Sequence, residues 1–288
     1  MDDDNKNFVN LTYKCNNNCI SCVMENHYQN DEMLTFEFIT KQIDRILDRS
    51  KHIEFNGGEP TIRKDIFEIL DYTKNKKSDV EIGLITNARL FSDNSALEKL
   101  AQLNLNKFKV MTSIYGHDSF THNAITRTPN SFKQQMLGIK NLISVGVKVE
   151  LRIIINKMNY KILPEIAQML LKFFGPKSFT SVDFVNTKLI GQAKRNLNNV
   201  GIETTKIVPY LETAAKKLIS CRFNVRLFHF PHCVLDANLR KFSVGVSAEL
   251  EELYFSSLCY KCQEQKKCTG IWKSYVKIYG DEEFRFKK

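Results

Sequence analysis

Residues 7–22 read NFVNLTYKCNNNCISC, an apolar strand that runs directly into three cysteines. Cys15, Cys19 and Cys22 stand within eight residues, yet nothing around them suits a core. Buried free cysteine behaves as a small hydrophobe inside apolar sequence, whereas NNN is turn chemistry that tolerates left-handed backbone. A disulfide reading leaves one of the three thiols over. What remains is a loop that wraps thiolates around a metal, just past the end of a strand.

That strand opens a rhythm. Further strand candidates are HIEF, VEIGLIT, KFKVMTSI, VKVELRIII and SVDFVNT. Between them, TFEFITKQIDRILDR, DIFEILDYTKN, SALEKLAQLN, SFKQQMLGIKNLISVG and LPEIAQMLLKFF carry apolar residues at helical spacing. In the first of these, Phe36, Ile39, Ile43, Ile46 and Leu47 are expected on one buried face. Six alternations up to about residue 190 imply right-handed crossovers and a parallel sheet. The fold class expected is therefore α/β, a partial (β/α)6 barrel. Its chemistry belongs beyond the carboxyl ends of the strands. Read in order, those ends carry the cysteine loop, then NGGEP, ITNAR and TSIYG, so the unusual residues gather where the architecture puts a site. From GQAKRN, at 191–196, the rhythm stops; a helix TTKIVPYLETAAKKLISC and a cysteine-rich segment follow. The expected division is 1–195 for the barrel and 196–288 for the extension.

The chain has 288 residues, enough to bury a full core, and its 43% hydrophobic and 26% charged content is that of an ordinary globular protein. The net charge of +10 fits a nucleic-acid or acidic-peptide partner, or lysines spread over solvated helix faces. No block of five or six like charges occurs and the basic residues lack interleaved aromatics, so no nucleic-acid partner is expected. The start, MDDDNKNFVN, is no secretion signal, and no run of 18 apolar residues exists to span a membrane. With clustered thiols, this points to a reducing cytoplasm.

Three thiolates on a cubane iron–sulfur cluster leave one of four irons open to bind something. A zinc site completed by a fourth ligand such as His27 is the alternative for the loop alone. GGEP follows the second strand, and its glycines allow close backbone approach.

Together, CNNNCISC, the GGEP after strand two and the six βα units resemble a radical S-adenosylmethionine enzyme over roughly residues 8–190. The resemblance implies a [4Fe–4S] cluster on Cys15, Cys19 and Cys22. Its open iron would be chelated by S-adenosylmethionine, which the reduced cluster cleaves to a 5′-deoxyadenosyl radical. Gly57, Gly58, Glu59 and Pro60 match the segment holding the methionyl amino group. Ser113 resembles a ribose or carboxylate contact and Arg152 a carboxylate partner, suited to a guanidinium fork. Thr86 and Asn87 sit where a polar pair lines the family's pocket. Ser21 departs from the aromatic residue that many members carry before the third cysteine, which implies a changed adenine environment. An electron donor such as flavodoxin or ferredoxin is also implied.

The extension contributes Cys233, in FPHCVLDANLRKF, and Cys259, Cys262 and Cys268, in LCYKCQEQKKCTGIW. Four thiolates suit a closed iron–sulfur cluster or a structural zinc. The run resembles a shortened auxiliary-cluster extension of the SPASM/Twitch type, and PHC with the IWKSYVKIYG tail resembles peptide maturases of the His-Xaa-Ser type. The resemblance implies a second [4Fe–4S] cluster and a ribosomally made precursor peptide that is crosslinked, joined by a thioether or epimerised. A small-molecule cofactor or nucleoside precursor is the competing substrate class; a non-catalytic iron–sulfur or zinc module is the third reading. Cys221 reads as a structural thiol near a helix end, as a hydrogen-atom donor, or as an auxiliary-cluster ligand in place of Cys233. Fourteen residues before Cys15 are too few for a leader-peptide-binding domain, so recognition of a peptide is expected from the barrel mouth, the extension or a separate leader-binding partner.

Overall fold

A computed structural model describes residues 7–24, 34–244 and 250–285; His27 lies outside them. Strands β1 (Phe8–Thr12), β2 (His52–Gly57), β3 (Glu81–Ile85), β4 (Phe108–Ile114), β5 (Lys148–Ile155), β6 (Ser181–Asn186) and β7 (Val225–Phe228) follow in chain order across one seven-stranded sheet. The recorded pairings β1–β2, β2–β3, β3–β4 and β6–β7 are all parallel. This is the α/β architecture expected, with one strand more than the six read from the sequence. The seventh is four residues of alternating burial, set between polar CRFN and HFPHC. It declares itself by its register on β6, Val182 opposite Val225 and Phe184 opposite Leu227. A bidentate pair reinforces it, with Arg226 Nε 2.7 Å from Asp183 Oδ1 and Nη2 2.5 Å from Oδ2.

The described residues gather into two compact units, taken in turn. The first comprises residues 7–18, 34–113 and 127–150. Its strands bury Val9, Leu11, Ile53, Phe55, Leu84 and Val110 completely. Helices α1 (Phe36–Arg49), α2 (Ile66–Lys76) and α3 (Asn94–Gln102) fill the crossovers. Helix α1 starts where Thr35 accepts the Phe38 N–H at 3.2 Å, an N-cap. Ile39, Ile43, Ile46 and Leu47 face the core as expected. Phe36 does not: it lies at the first turn, 38% exposed, in a T-shaped contact with Tyr72 on α2, centroids 6.1 Å apart.

The second unit comprises residues 19–24, 114–126, 151–244 and 250–285. It holds α4 (Ser119–Thr126) and, beyond the first unit's α5 (Ser131–Ser144), helices α6 (Leu163–Phe173), α7 (Gly191–Arg195), α8 (Leu197–Val200) and α9 (Thr204–Ser220). After β7 come a two-stranded antiparallel ribbon, β8 (Leu253–Tyr254) with β9 (Ile271–Trp272), and α10 (Lys273–Tyr279). An apolar cluster of Ile20, Ile125, Leu189, Trp272, Tyr275 and Phe284 joins the cysteine loop's second half to this C-terminal segment. The chain's end also caps α9. Glu283 accepts the Thr204 N–H at 3.1 Å, the Thr205 N–H at 2.9 Å and the Thr205 hydroxyl at 2.6 Å, and the Tyr275 hydroxyl donates to it as well. A carboxylate there satisfies orphan donors and complements the helix dipole. Glu283→Ala is expected to cost about 1–2 kcal/mol and to lower Tm by roughly 2–5 °C in a thermal melt. Glu282→Ala, at an exposed neighbour, should leave Tm unchanged.

Candidate functional site

The GGEP segment is built around close backbone approach, but to the chain itself. The Gly58 N–H donates to Thr12 O at 2.7 Å and the Glu59 N–H to Lys14 O at 2.8 Å. A Cβ on Gly57, whose φ is +131°, would lie 2.3 Å from Thr12 O, and one on Gly58 would lie 2.1 Å from Lys14 O. Both glycines are therefore required to seat the end of β2 against the stem of the cysteine loop.

Glu59 then faces inward, 1% exposed. Its Oε1 accepts the Thr61 N–H at 3.0 Å, the Thr61 hydroxyl at 2.5 Å and the Thr86 hydroxyl at 2.6 Å; Oε2 accepts the Asn87 N–H at 2.6 Å. Burial holds the carboxyl above its usual range, and these four donors offset that only in part. The side chain thus ties the end of β2 to the end of β3. It brings Gly57, Gly58, Glu59, Pro60, Thr86 and Asn87 into one construction, leaving backbone, not the carboxylate, at the surface of the motif. Glu59→Gln puts an amide NH2 among donors, and one buried partner loses its acceptor. That is expected to cost about 1–3 kcal/mol, read as a fall in Tm of roughly 2–8 °C with weakened S-adenosylmethionine binding in calorimetry.

Arg89, which the sequence reading passed over, holds the asparagines. Its Nη1 donates to Asn16 O and to Asn17 Oδ1, each at 2.7 Å, while Nε donates to Gln134 Oε1 at 2.8 Å. Asn87 Nδ2 donates to Asn16 Oδ1 at 2.6 Å. So NNN is more than turn chemistry: two of its members are clamped by the TNAR segment. Ala88 takes φ +59°, unusual for a residue with a side chain. The turn is pressed by α5, where a Cβ on Gly138 would come 2.0 Å from Ala88 O. Ser113, half-buried on β4, has its carbonyl held by Gln135 Nε2 at 2.9 Å.

Cys15, Cys19 and Cys22 are free thiols of intermediate exposure. In the first unit, the Asn17 N–H donates to Cys15 Sγ at 3.3 Å. In the second, the Ile20 N–H donates to Ile125 O at 2.9 Å and the Ala193 N–H to Cys22 O at 3.2 Å, fixing the segment that bears Cys19 and Cys22. Burial raises the Cys22 thiol's pKa, offset in part by the Met24 backbone.

Arg152 belongs to the second unit, half-buried on β5. Beside it the structure adds a residue the sequence reading missed, His229, which directly follows β7. This histidine is 4% exposed and adopts φ +63°. Its ring stacks on Trp272 with centroids 4.0 Å apart. Burial, then the charges of Arg152 and Lys188, push its pKa down to about 3, so it is neutral. Lys188 in turn lies 4.9 Å from the Trp272 ring and pairs with Glu252. The only advance signal was a histidine at the end of a strand too short to recognise.

The C-terminal thiols converge. Cys233, Cys259, Cys262 and Cys268 all line one cavity of about 500 Å³, with His232, Phe255 and Ile271 among its other walls. All four are free. Burial, reinforced by the neighbouring Cys268, Cys259 and Cys262, pushes Cys233 up to about 12. Burial raises the Cys268 thiol's pKa as well, offset in part by the backbone of Gly270 and His232. Among the described residues no three His, Cys, Asp or Glu side chains close on a single point as ligands of one ion would. Cys221 is exposed at the end of α9 and does not line this cavity. Four thiols around one space suit the donor set of an iron–sulfur cluster.

Similarity to known proteins bears on the family and the fold. Fe-coproporphyrin III synthase of Methanosarcina barkeri is 31% identical over 166 residues, 56% of this chain and 39% of that protein. The chain spans about half the length of the curated relatives it matches. Among solved structures, Streptococcus suis SuiB bound to the precursor peptide SuiA superposes with TM-score 0.59 at 19% identity, over 76% of this chain and 48% of that one. Native anSMEcpe with bound AdoMet reaches TM-score 0.65 at 15% identity, over 96% and 94%. At these identities the structures speak for the fold. The model of the Radical SAM superfamily matches residues 9–170, more than half of the sequence, and the chain belongs to that family, whose cofactors are a [4Fe–4S] cluster and S-adenosylmethionine.

Proposed function

We propose that the protein is a radical S-adenosylmethionine enzyme acting on a ribosomally made peptide, forming a crosslink or thioether or inverting a stereocentre. The observation that carries the peptide reading is the cavity ringed by Cys233, Cys259, Cys262 and Cys268, which lies beyond the family-matched region. Further support comes from SuiB, a fold neighbour crystallised with a precursor peptide. Fe-coproporphyrin III synthase keeps the second reading, a small-molecule substrate, in play.

Cys15, Cys19 and Cys22 would hold the cluster, which when bound and reduced supplies the electron that cleaves S-adenosylmethionine. Gly57 to Pro60 would offer backbone to the methionyl end, with Glu59 fixing their position from behind. Thr86, Asn87, Ser113 and Arg152 would line the pocket, Arg152 with a charge for a carboxylate. The four C-terminal cysteines would hold a second [4Fe–4S] cluster, closed by four ligands. Residues 1–195 would form the catalytic part, and 196–288 would add the last strand and the auxiliary site. An electron donor of the flavodoxin or ferredoxin kind is required, and a leader-binding partner fits a peptide substrate. No helix among the described residues is long and apolar enough to cross a membrane, and eight free cysteines accord with a reducing cytoplasm.

The test is co-expression with short peptides encoded beside the gene, followed by mass spectrometry. A peptide altered only when Cys15, Cys19 and Cys22 are intact is the expected result. No altered peptide, together with consumption of a nucleotide or porphyrin precursor by the purified enzyme, would select the small-molecule reading.

A further inference from the structure

His232 stands out among the walls of the four-cysteine cavity. It is 4% exposed, on the same short turn as Cys233. Its Nδ1 lies 3.0 Å from Glu264 Oε2. With a carboxylate as partner, Nδ1 is the protonated nitrogen, and Nε2 is the ring atom left over. That atom is buried and has no hydrogen-bond partner among the described residues. A buried imidazole nitrogen without a partner costs free energy unless something nearby accepts or uses its lone pair. His232 lines the same cavity as the four thiols, and a metal held there would use that lone pair. A histidine whose far N–H is held by a carboxylate is the usual arrangement of a metal ligand, since the carboxylate fixes tautomer and ring orientation. Imidazole is known to replace thiolate on iron–sulfur irons.

We infer that His232 is a fifth donor of the C-terminal metal site, oriented by Glu264 and able to take the metal corner of its neighbour Cys233. This rests on the reading that the four cysteines bind metal. The site then has one donor in surplus, and the surplus sits on the His232–Cys233 turn. Cys259, Cys262 and Cys268 have no such understudy.

The experiment uses the full chain with Cys15, Cys19 and Cys22 replaced by alanine, so that any tightly held metal belongs to this site. Iron, zinc and sulfide are counted per chain after anaerobic reconstitution. In that background Cys233→Ala is expected to keep the metal of its parent, while Cys259→Ala, and Cys233→Ala combined with His232→Phe, lose most of it. Nitrogen coupling in pulsed EPR of the reduced Cys233→Ala protein, or metal–nitrogen scattering at the zinc edge if zinc is bound, should vanish with His232→Phe. Near-ultraviolet dichroism like the parent's establishes that each variant is folded. Loss of metal from Cys233→Ala equal to that from Cys259→Ala, or a retained metal without nitrogen coupling, overturns the inference. Zinc in place of iron would defeat the iron–sulfur reading of the site but leave this retention pattern to decide on His232. A parent that binds no metal defeats both.

Discussion

Replacing Cys15, Cys19 and Cys22 together by alanine is expected to abolish conversion of S-adenosylmethionine to 5′-deoxyadenosine and methionine by the anaerobically reconstituted, reduced protein. The whole activity should go, because the three thiolates are the only protein ligands this loop supplies and an open iron exists only on a cluster they hold. The surrounding construction predicts what survives. Gly57 and Gly58 seat against Thr12 and Lys14, and Glu59 holds Thr61, Thr86 and Asn87, without any contribution from a cysteine side chain. Arg89 grips Asn16 and Asn17 through a backbone carbonyl and a side-chain amide. The triple variant should therefore stay folded, with a thermal transition close to that of the unreconstituted parent. Undiminished formation of 5′-deoxyadenosine by that variant would remove these cysteines from the chemistry.

The motifs were legible because each is a short run in which chemistry departs from its surroundings: thiols among asparagines, two glycines at a strand end. Their supports were not, since they depend on long-range pairing. Nothing in ITNAR announces that Arg89 reaches back 73 positions to Asn16 O, or that Thr86 and Asn87 answer to Glu59. The helices were readable from their apolar spacing, but Phe36 shows the limit, since periodicity assigns a face without telling where the neighbouring helix ends. Strand β7 escaped because four residues carry too little pattern; its evidence is Asp183, completely buried on β6 and answered by Arg226. His229 escaped with it. The four C-terminal cysteines could be grouped by composition, but their convergence on one cavity needs the antiparallel ribbon that returns Ile271 to Tyr254.

Removing Cys259, Cys262 and Cys268 together, with the N-terminal cysteines intact, should halve the metal: from about eight irons and eight sulfides per chain to about four of each, as two cubanes and one require. S-adenosylmethionine cleavage should continue, while turnover of the true substrate falls. At the knuckle, Cys259 Sγ lies 3.5 Å from Ser256 Oγ, and hydrogen bonds to cluster sulfurs set a cluster's potential. Gly270 turns the chain there at φ +67°, where a Cβ would strike Phe255 at 2.8 Å. Zinc would also accept four thiolates, but it has no second oxidation state and could contribute structure alone. The measurement separates the two, because loss of one equivalent of zinc with no change in iron would show that the extension is a zinc knuckle. Loss of iron and sulfide in equal number, with 5′-deoxyadenosine still formed, would place electron transfer or structural support in the extension and radical generation in the loop at Cys15 to Cys22.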